Sequence, residues 1–407
     1  GSDRQVAGFI TTEEFDEVRL NLFTTVGIDL GSTRIYGAVV RSFCPTETEP
    51  DCNTLTVIRN PENPVYINSQ RTGTGETCLL CAINDVESII DNDPETYARI
   101  TTVASLLSTA QISVANALET YPARSFVGFE IASEALLNLT VLDALTIRLY
   151  KDGEQVQNTG GLGALLSANT SLLAEGLYNR HMVGIIAEHE FDEVQITFVK
   201  PVAVNLGEIR IYSLVVSPSC EIPIACNSSY YLTQSAFPVY INPSRTGVAG
   251  ILDALGEVRD AWNVVSPSTS DYAIIGANVG VAEASRISVV DAVHEYPAGT
   301  IAGFTVSTDP SIAELDLLSS LTIITYLDGE QQESSSAFNL INLELLGLPV
   351  LGGGSSTYNV GFITTKPFDE IQIAAINLVG LDLLNEIKVY GAYVDTRFSQ
   401  SGGSVSC

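Results

Sequence analysis

The sequence predicts an all-β protein built from tandem, jelly-roll-like β-sandwich modules with short helical insertions. The motif Phe-Asp-Glu-Val/Ile begins at Phe15, Phe191 and Phe368, and copies spaced by roughly 176 residues indicate repeated structural units. Apolar and polar residues alternate after each copy, as in 194–198, which is typical of a strand with one buried face. Many short strands separated by Gly, Asn and Asp turns favour a sandwich.

Further motifs recur at the same period and define the modules. Pro-Val-Tyr-Ile-Asn occurs at 64–68 and 238–242, and Tyr-Pro-Ala occurs at 121–123 and 296–298. Each unit is large enough to bury a core of its own. The predicted divisions are the last strands of a preceding, truncated module at 1–42, full modules at 43–218 and 219–395, and a linker to a following module at 396–407.

The strand pattern predicts which side chains are buried. Gln195 is expected to face outward, and its neighbours Val194, Ile196 and Phe198 are expected to face the core. Residues 35–40 are apolar on both faces, which predicts a central, covered strand.

Turns and short helices complete each predicted module. Asp-Gly at 152–153 and at 328–329 predicts a tight hairpin, because these residues tolerate the positive φ that the turn requires. Residues 78–90 and 252–262 lie at equivalent positions and are expected to form a few helical turns.

The composition limits the partners of the chain. Nineteen basic residues face 48 acidic ones, for a formal net charge of −29, which excludes nucleic acid because phosphate binding relies on Lys and Arg. The sequence contains no run of eighteen consecutive apolar residues, so it predicts no membrane-spanning segment. The acidic surface fits an extracellular, cell-surface or secreted protein whose partners are neighbouring modules, copies of itself or surface glycans.

Four cysteines follow the repeat. Cys44 and Cys52 correspond to Cys220 and Cys226, and each pair encloses a short loop. This recurrence predicts local disulfide bonds Cys44–Cys52 and Cys220–Cys226, and therefore an oxidising compartment. Two reduced cysteines in a loop are the alternative.

The remaining cysteines do not recur. Cys78 and Cys81 lack the partners of a zinc or redox site and are predicted to form a third local disulfide. Cys407 is either the first cysteine of a following module or unpaired.

Several strings resemble modules of large secreted surface proteins. They are 296–304 (YPAGTIAGF), 321–323, 359–365 (NVGFITT) and 368–371. These strings look like the tandem modules of Bacteroidota adhesins that the gliding-associated, type IX system exports. Residues 84–100 also resemble, more weakly, the opening strand and loop of galactose-binding-like jelly rolls. The resemblance implies a β-sandwich architecture and an extracellular location.

One loop has the composition of a calcium site. Asp91, Asp93 and Glu95 place alternating carboxylates in a turn, and Ca²⁺ binds six to eight oxygen ligands. The equivalent loop at 266–271 has a single acidic residue, so a solvated turn is the alternative. No other cofactor is expected.

Two arginines and two tyrosines are candidate ligand contacts. Arg71 and Arg245 recur in a chain with few basic residues and could bind a carboxylate, although internal pairing with an acid is the preferred interpretation. Tyr66 and Tyr240 could stack on sugars or belong to the core.

No catalytic signature is present in the sequence. The aspartates of the repeated motif, Asp16, Asp192 and Asp369, could act as ligands or acids, but a structural role in the preceding turn is simpler. The histidines do not recur, and the sequence lacks GxSxG, P-loop and strand-linked GxGxxG motifs. We therefore expect no enzymatic activity, although sequence alone does not exclude the paired carboxylates of a glycosidase.

The resulting expectation is a structural or adhesive tandem-repeat segment of an extracellular bacterial surface protein or filament. The alternative is an array of carbohydrate-binding modules, and a third reading is an accessory domain of a hydrolase. A glycan binder should expose two or more aromatic side chains on one face of each module. Residues 1–42 should either pack against the first module or add to a neighbouring chain.

Overall fold

The predicted fold class is confirmed: the computed structural model is all-β, with antiparallel sheets and short 3-10 helices. It describes residues 8–11, 13–22, 34–40, 42, 52–75, 82–101, 108–133, 145–160, 165–167, 180–200, 208–220, 222–234, 237–248, 257–268, 270–276, 284–308, 317–318, 320–336, 340–342, 357–376, 386–398 and 405–406.

The strands of the first half are β1 (Thr56–Ile58), β2 (Val65–Ile67), β3 (Gly73–Thr74), β4 (Ala82–Asn84), β5 (Ala98–Thr101), β6 (Ser108–Asn116), β7 (Phe126–Ser133), β8 (Leu145–Lys151), β9 (Glu154–Gly160), β10 (Leu165–Ser167), β11 (Arg180–Ile186), β12 (Glu193–Lys200) and β13 (Glu208–Ser217). A 3-10 helix spans Val86–Ile89.

The strands of the second half are β14 (Ile224–Ala225), β15 (Ser229–Tyr231), β16 (Val239–Ile241), β17 (Gly247–Val248), β18 (Glu257–Arg259), β19 (Ala273–Gly276), β20 (Ala284–Asp291), β21 (Ile301–Ser307), β22 (Leu321–Leu327), β23 (Glu330–Ser336), β24 (Ile341–Asn342), β25 (Thr357–Ile363), β26 (Glu370–Ile376), β27 (Ile387–Asp395) and β28 (Val405–Ser406). Further 3-10 helices span Pro243–Arg245 and Ala261–Val265.

Each half forms a sandwich of two sheets around its own core. In the first, the order β2-β6-β12-β8-β9 faces β10-β11-β7-β13-β5-β4. In the second, the equivalent orders are β16-β20-β26-β22-β23 and β24-β25-β21-β27-β19-β18. One apolar cluster is built from buried residues within 58–216, and a second is built from buried residues within 224–394. We call these halves the first and second modules.

The two modules pack directly against each other. Phe126 of the first and Tyr240 of the second stack with ring centroids 4.6 Å apart, and both are at most 3% exposed. Their cluster includes Met182 and Val215. Strands β10 and β16 pair at one position, which joins sheets of both modules. The junction is therefore a small apolar core of its own.

The local predictions succeed where backbone geometry decides and differ where tertiary contacts intervene. The hairpin turns form, with φ of 52° at Asp152 and 48° at Asp328. The predicted helical segments are shorter than expected: their described parts are strands β4 and β18 followed by 3-10 helices. Gln195 was expected to face solvent but is buried, because Arg71 and Tyr150 cover that face of β12.

The described residues before the first module do not pack on it. Val18, Leu20 and Leu22 are 52–57% exposed, and Ile35 and Val40 are more exposed still. Neither 13–22 nor 34–40 contains a strand. The prediction that 35–40 is a covered strand is therefore wrong. Of the two expectations for 1–42, packing on the first module is not met by the described residues, and addition to a neighbouring chain stays a prediction. Strand β13 at the equivalent position is buried because it lies between β7 and β5.

The disulfide pairing differs from the prediction. Cys52 is bonded to Cys220, 168 residues away, so the local pairs Cys44–Cys52 and Cys220–Cys226 are wrong. The reason is that strands β1 and β13 pair, which brings Cys52, shortly before β1, next to Cys220, shortly after β13. Cys226 is also disulfide-bonded, to a partner outside the described residues. Cys44, Cys78, Cys81 and Cys407 likewise lie outside them.

Among the described residues, no helix is long and apolar enough to cross a membrane.

Candidate functional site

One polar cluster of the first module is centred on Glu193, which is 4% exposed. Arg71 Nη1 donates to its Oε2 at 2.7 Å. Asn68 Nδ2 and Ser113 Oγ donate to Oε1 at 2.8 and 2.5 Å. Arg71 Nη2 also donates to the carbonyl of Gly153 at 2.6 Å. The carboxylate is thus well satisfied, and the cluster ties the loop after β2 to the hairpin β8–β9.

The second module repeats this cluster around Glu370. Arg245 Nη1 and Asn242 Nδ2 each donate to Glu370 at 2.9 Å, and Ser288 Oγ donates at 2.5 Å. Arg245 Nη2 donates to the carbonyl of Gly329. Burial raises the pKa of Glu370, and the hydrogen bond from Ser288 opposes that rise.

The candidate contacts Arg71 and Arg245 therefore have their donors engaged inside their modules. Their guanidinium groups also lie 4.1 and 4.3 Å from the ring centroids of Tyr150 and Tyr326, which adds a cation–π contact. The preferred interpretation of internal pairing agrees with this geometry.

The two candidate tyrosines lie in different surroundings. Tyr66 is partly buried, and burial raises its pKa. Tyr240 is 3% exposed because it stacks on Phe126 in the junction. A ring enclosed on both faces cannot stack on a sugar, so the predicted ligand role of Tyr240 is not realised.

The repeated Phe-Asp-Glu motif is structural in both modules. Phe191 bridges to Tyr121, with ring centroids 5.2 Å apart, and Asp192 Oδ2 accepts from the backbone N–H of Asp152 at 2.8 Å. Asp369 accepts in the same way from Asp328 at 3.0 Å. The motif thus fixes the hairpin turn, as the simpler interpretation of the sequence holds.

The two aspartates differ in one neighbour. Lys151 Nζ lies 3.4 Å from Asp192 Oδ2, whereas Leu327 occupies the equivalent position in the second module. Burial raises the pKa of Asp369 to about 6, although the N–H of Asp328 opposes this rise.

The predicted calcium loop uses its carboxylates internally. Asp91 Oδ1 accepts from the N–H of Asp93 at 2.9 Å, and Asp93 Oδ1 accepts from the N–H of Glu95 at 3.0 Å. Glu95 Oε2 accepts from Arg180 Nη2 at 3.0 Å. Across the described ranges, no three His, Cys, Asp or Glu side chains are grouped to hold a metal ion. These internal hydrogen bonds support the turn, and the calcium site stays a prediction.

The histidines occupy unrelated positions. His294 is buried, with Nδ1 2.9 Å from Asp291 Oδ2 and Nε2 2.9 Å from the carbonyl of Ile222. Tyr296 donates to the same carboxylate at 2.7 Å. His189 is exposed, and the side chain of His181 lies outside the described part of the structure. His294 thus holds the segment that links the modules.

Sequence reasoning missed a paired tyrosine cluster. In the first module, the rings of Tyr97 and Tyr212 are 5.2 Å apart, and the Arg210 guanidinium lies 4.9 Å from the Tyr97 centroid. Tyr97 is partly exposed, and the Arg99 side chain beside it is 44% exposed. This cluster lies on the outer face of β5 and β13.

The second module carries the same arrangement with a lysine. The rings of Tyr272 and Tyr390 are 5.6 Å apart, and Lys388 Nζ lies 4.5 Å from the Tyr272 centroid. The repeat of Ile-Tyr at 211–212 and Val-Tyr at 389–390 marked one ring of each pair, and Tyr-Ala at 97–98 and 272–273 would have marked the other.

Comparison with known proteins gives similarity in structure only. No protein-family model matches the chain, and no curated protein matches it. Similar solved structures include allantoicase from Saccharomyces cerevisiae, with 9% identity and a TM-score of 0.30, covering 83% of this chain and 94% of that one. The family 32 carbohydrate-binding module of Clostridium perfringens NanJ in complex with galactose has 15% identity and a TM-score of 0.24, covering 40% of this chain and 98% of that one.

These comparisons change one expectation. The expectation of no enzymatic activity is corrected, because allantoicase is an enzyme and is among the similar structures. At TM-scores of 0.30 and 0.29, this likeness transfers no activity to the present chain. The weaker resemblance, to galactose-binding-like jelly rolls, agrees with the similarity to carbohydrate-binding modules, and none of these structures supports the resemblance to Bacteroidota adhesins.

Proposed function

We propose that this chain is a structural or adhesive tandem-repeat segment of an extracellular bacterial surface protein or filament. The observation that carries the proposal is the junction between the modules. Phe126 and Tyr240 stack in an apolar cluster drawn from both modules, so neighbouring modules hold a defined orientation. A chain of such modules would act as a stiff spacer, and repeated weak contacts along it would add avidity.

The placement of aromatic residues also supports this proposal. In the described part of 52–398, Phe398 is the one aromatic side chain that is largely exposed. The criterion for a glycan binder, two or more exposed rings on one face of each module, is therefore unmet in that part. The disulfide Cys52–Cys220 is consistent with an oxidising, extracellular location.

The segment before the first module belongs to the same proposal. Its exposed apolar residues Val18, Leu20 and Leu22 occupy the repeat positions of the apolar residues at 194, 196 and 198, which are buried in β12. We propose that 1–42 supplies the last strands of a further module, that the modules occupy 43–218 and 219–395, and that 396–407 continues toward another. Partners would be neighbouring modules or other copies of the chain.

Small-angle X-ray scattering of the full chain tests the stiff junction. The expected profile fits one fixed arrangement of two modules. Tyr240→Ala should lengthen and broaden the distance distribution, because it removes half of the stacked pair. Tyr66→Ala is the matched control, since Tyr66 is the equivalent residue away from the junction. A wild-type profile that requires a freely jointed pair would refute the proposal.

A second candidate function is glycan binding through the tyrosine pairs. Tyr97 and Tyr272 each combine a partly exposed ring with a nearby cation, and such surfaces can contact sugar rings and acidic groups. A glycan array probed with the wild type and with Tyr97→Ala/Tyr272→Ala tests this candidate. Binding that both proteins share, or no binding by the wild type, would reject it.

A further inference from the structure

The first module begins and ends at the same place. The disulfide between Cys52 and Cys220 joins Cα atoms 5.4 Å apart. Next to it, the N–H of Asn53 donates to the carbonyl of Pro218 at 2.7 Å. The Asn53 side chain donates to the carbonyl of Cys220 at 2.9 Å and accepts from the Cys220 N–H at 3.0 Å. The ends of the module are thus joined covalently and by three hydrogen bonds.

The second module brings its two ends together in the same way. The N–H of Thr396 donates to the carbonyl of Ser228 at 2.9 Å, and the N–H of Ser228 donates to Thr396 Oγ1 at 3.1 Å. Strands β14 and β28 pair in parallel, with Ile224 opposite Val405 and Ala225 opposite Ser406. Cys226, which follows Ala225, is disulfide-bonded.

This arrangement matters when the chain is pulled at its ends. Strands β1 and β13 are antiparallel, with Thr56 opposite Val216 and Ile58 opposite Leu214. Pulling on the residues that flank this pair would separate its hydrogen bonds one after another rather than together. A single hydrogen bond contributes little net stability, so opening the bonds one at a time resists little force. The disulfide lies at the position where this opening would begin.

We propose that the disulfide Cys52–Cys220 carries tension past the folded first module, so that this module transmits force without unfolding. Force would pass from Cys52 to Cys220 through the S–S bond. It would then continue along the short segment to Cys226, which is itself disulfide-bonded.

This inference rests on the proposed function in one respect, since a stalk is where tension along the chain would arise. Its test is independent, because it measures extension rather than the orientation of the modules. Failure of the stiff junction in scattering would leave the force path unaffected, and failure of the force path would leave the junction intact.

The experiment is single-molecule force spectroscopy on the full chain, held by its two ends. The sequestered loop of the first module spans a sequence separation of 168, which corresponds to about 600 Å of extended chain. Cys52→Ser/Cys220→Ser is expected to show one release of that length more than the oxidised wild type, because only the variant exposes the first module to the force. Equal numbers of such releases in the two proteins would overturn the proposal.

A further measurement keeps the result interpretable if a variant folds poorly. A reductant added to the oxidised wild type under constant force should cause a step of the same length, because the first module is folded when its bond breaks. The absence of a reductant-dependent step would refute the force path.

Discussion

Arg71 and Glu193 are 122 residues apart in the sequence, yet Arg71 Nη1 lies 2.7 Å from Glu193 Oε2. Arg245 and Glu370 repeat the contact at 2.9 Å in the second module. Arg71 therefore ties the segment after β2 to strand β12, and Arg245 ties the segment after β16 to strand β26. The recurrence explains why these residues return at the module period without requiring a ligand.

Replacing Arg71 with lysine is expected to destabilise the first module by about 1–3 kcal/mol. The planar guanidinium donates to Glu193 and to the carbonyl of Gly153 together, which a single ammonium group cannot reproduce. Calorimetric unfolding measures the loss. Arg19→Lys is the control, since Arg19 is 74% exposed, and an equal effect of both substitutions would contradict the proposed bridging role.

Asp369→Asn should stabilise the protein at pH 7.5 relative to the wild type, and by less at pH 4. The pKa of Asp369 is about 6 in the folded protein and 3.8 in the unfolded chain. The stability that protonated Asp369 contributes is therefore fully present below pH 3.8 and is lost as the pH rises through 6. The asparagine keeps an acceptor for Asp328. After discounting for partial exposure, the change between the two pH values should be on the order of 1 kcal/mol.

Urea unfolding at both pH values measures this difference. Asp192→Asn is the matched control, because Asp192 has Lys151 beside it and should lose that contact. A gain from Asp369→Asn that is the same at both pH values would show that burial of the charge is not its cause.

Cys52→Ser/Cys220→Ser should lower the unfolding temperature of the oxidised protein. Closing a loop of this length removes unfolded-state entropy worth up to about 5 kcal/mol. Differential scanning calorimetry without reductant measures the shift. If the double variant unfolds at the wild-type temperature, the bond does not constrain the unfolded chain.

Gly361→Ala is expected to cost about 1–3 kcal/mol through overpacking. A Cβ at this position would lie 2.7 Å from the carbonyl oxygen of Ala302 and 2.8 Å from the Tyr393 hydroxyl oxygen, and the backbone oxygen cannot move independently of its strand. Gly37→Ala serves as the control, since a Cβ there meets nothing within 4 Å. Chemical denaturation compares the two, and a neutral Gly361→Ala would show that β21 and β25 can separate locally.

Strand alternation and turn chemistry were predictable because they depend on near neighbours. The pattern of Val194, Ile196 and Phe198 gave the buried face, and Asp-Gly at 152–153 gave the turn. The burial of Gln195 could not be predicted, because it depends on contacts with Arg71 and Tyr150, which are distant in the sequence. The same limit hid the pairing of Tyr97 with Tyr212, which β5 and β13 bring together.

The sequence by itself determined the all-β class, the repeat and its period, because alternation and self-similarity are properties of the chain order. Only the tertiary structure decided which cysteines bond. Cys220 and Cys226 are close in sequence, yet Cys220 bonds to Cys52, because the last strand of the first module, β13, pairs with its first strand, β1. The tertiary structure also decided that Tyr240 belongs to the junction, because the face it covers is supplied by Phe126 of the other module.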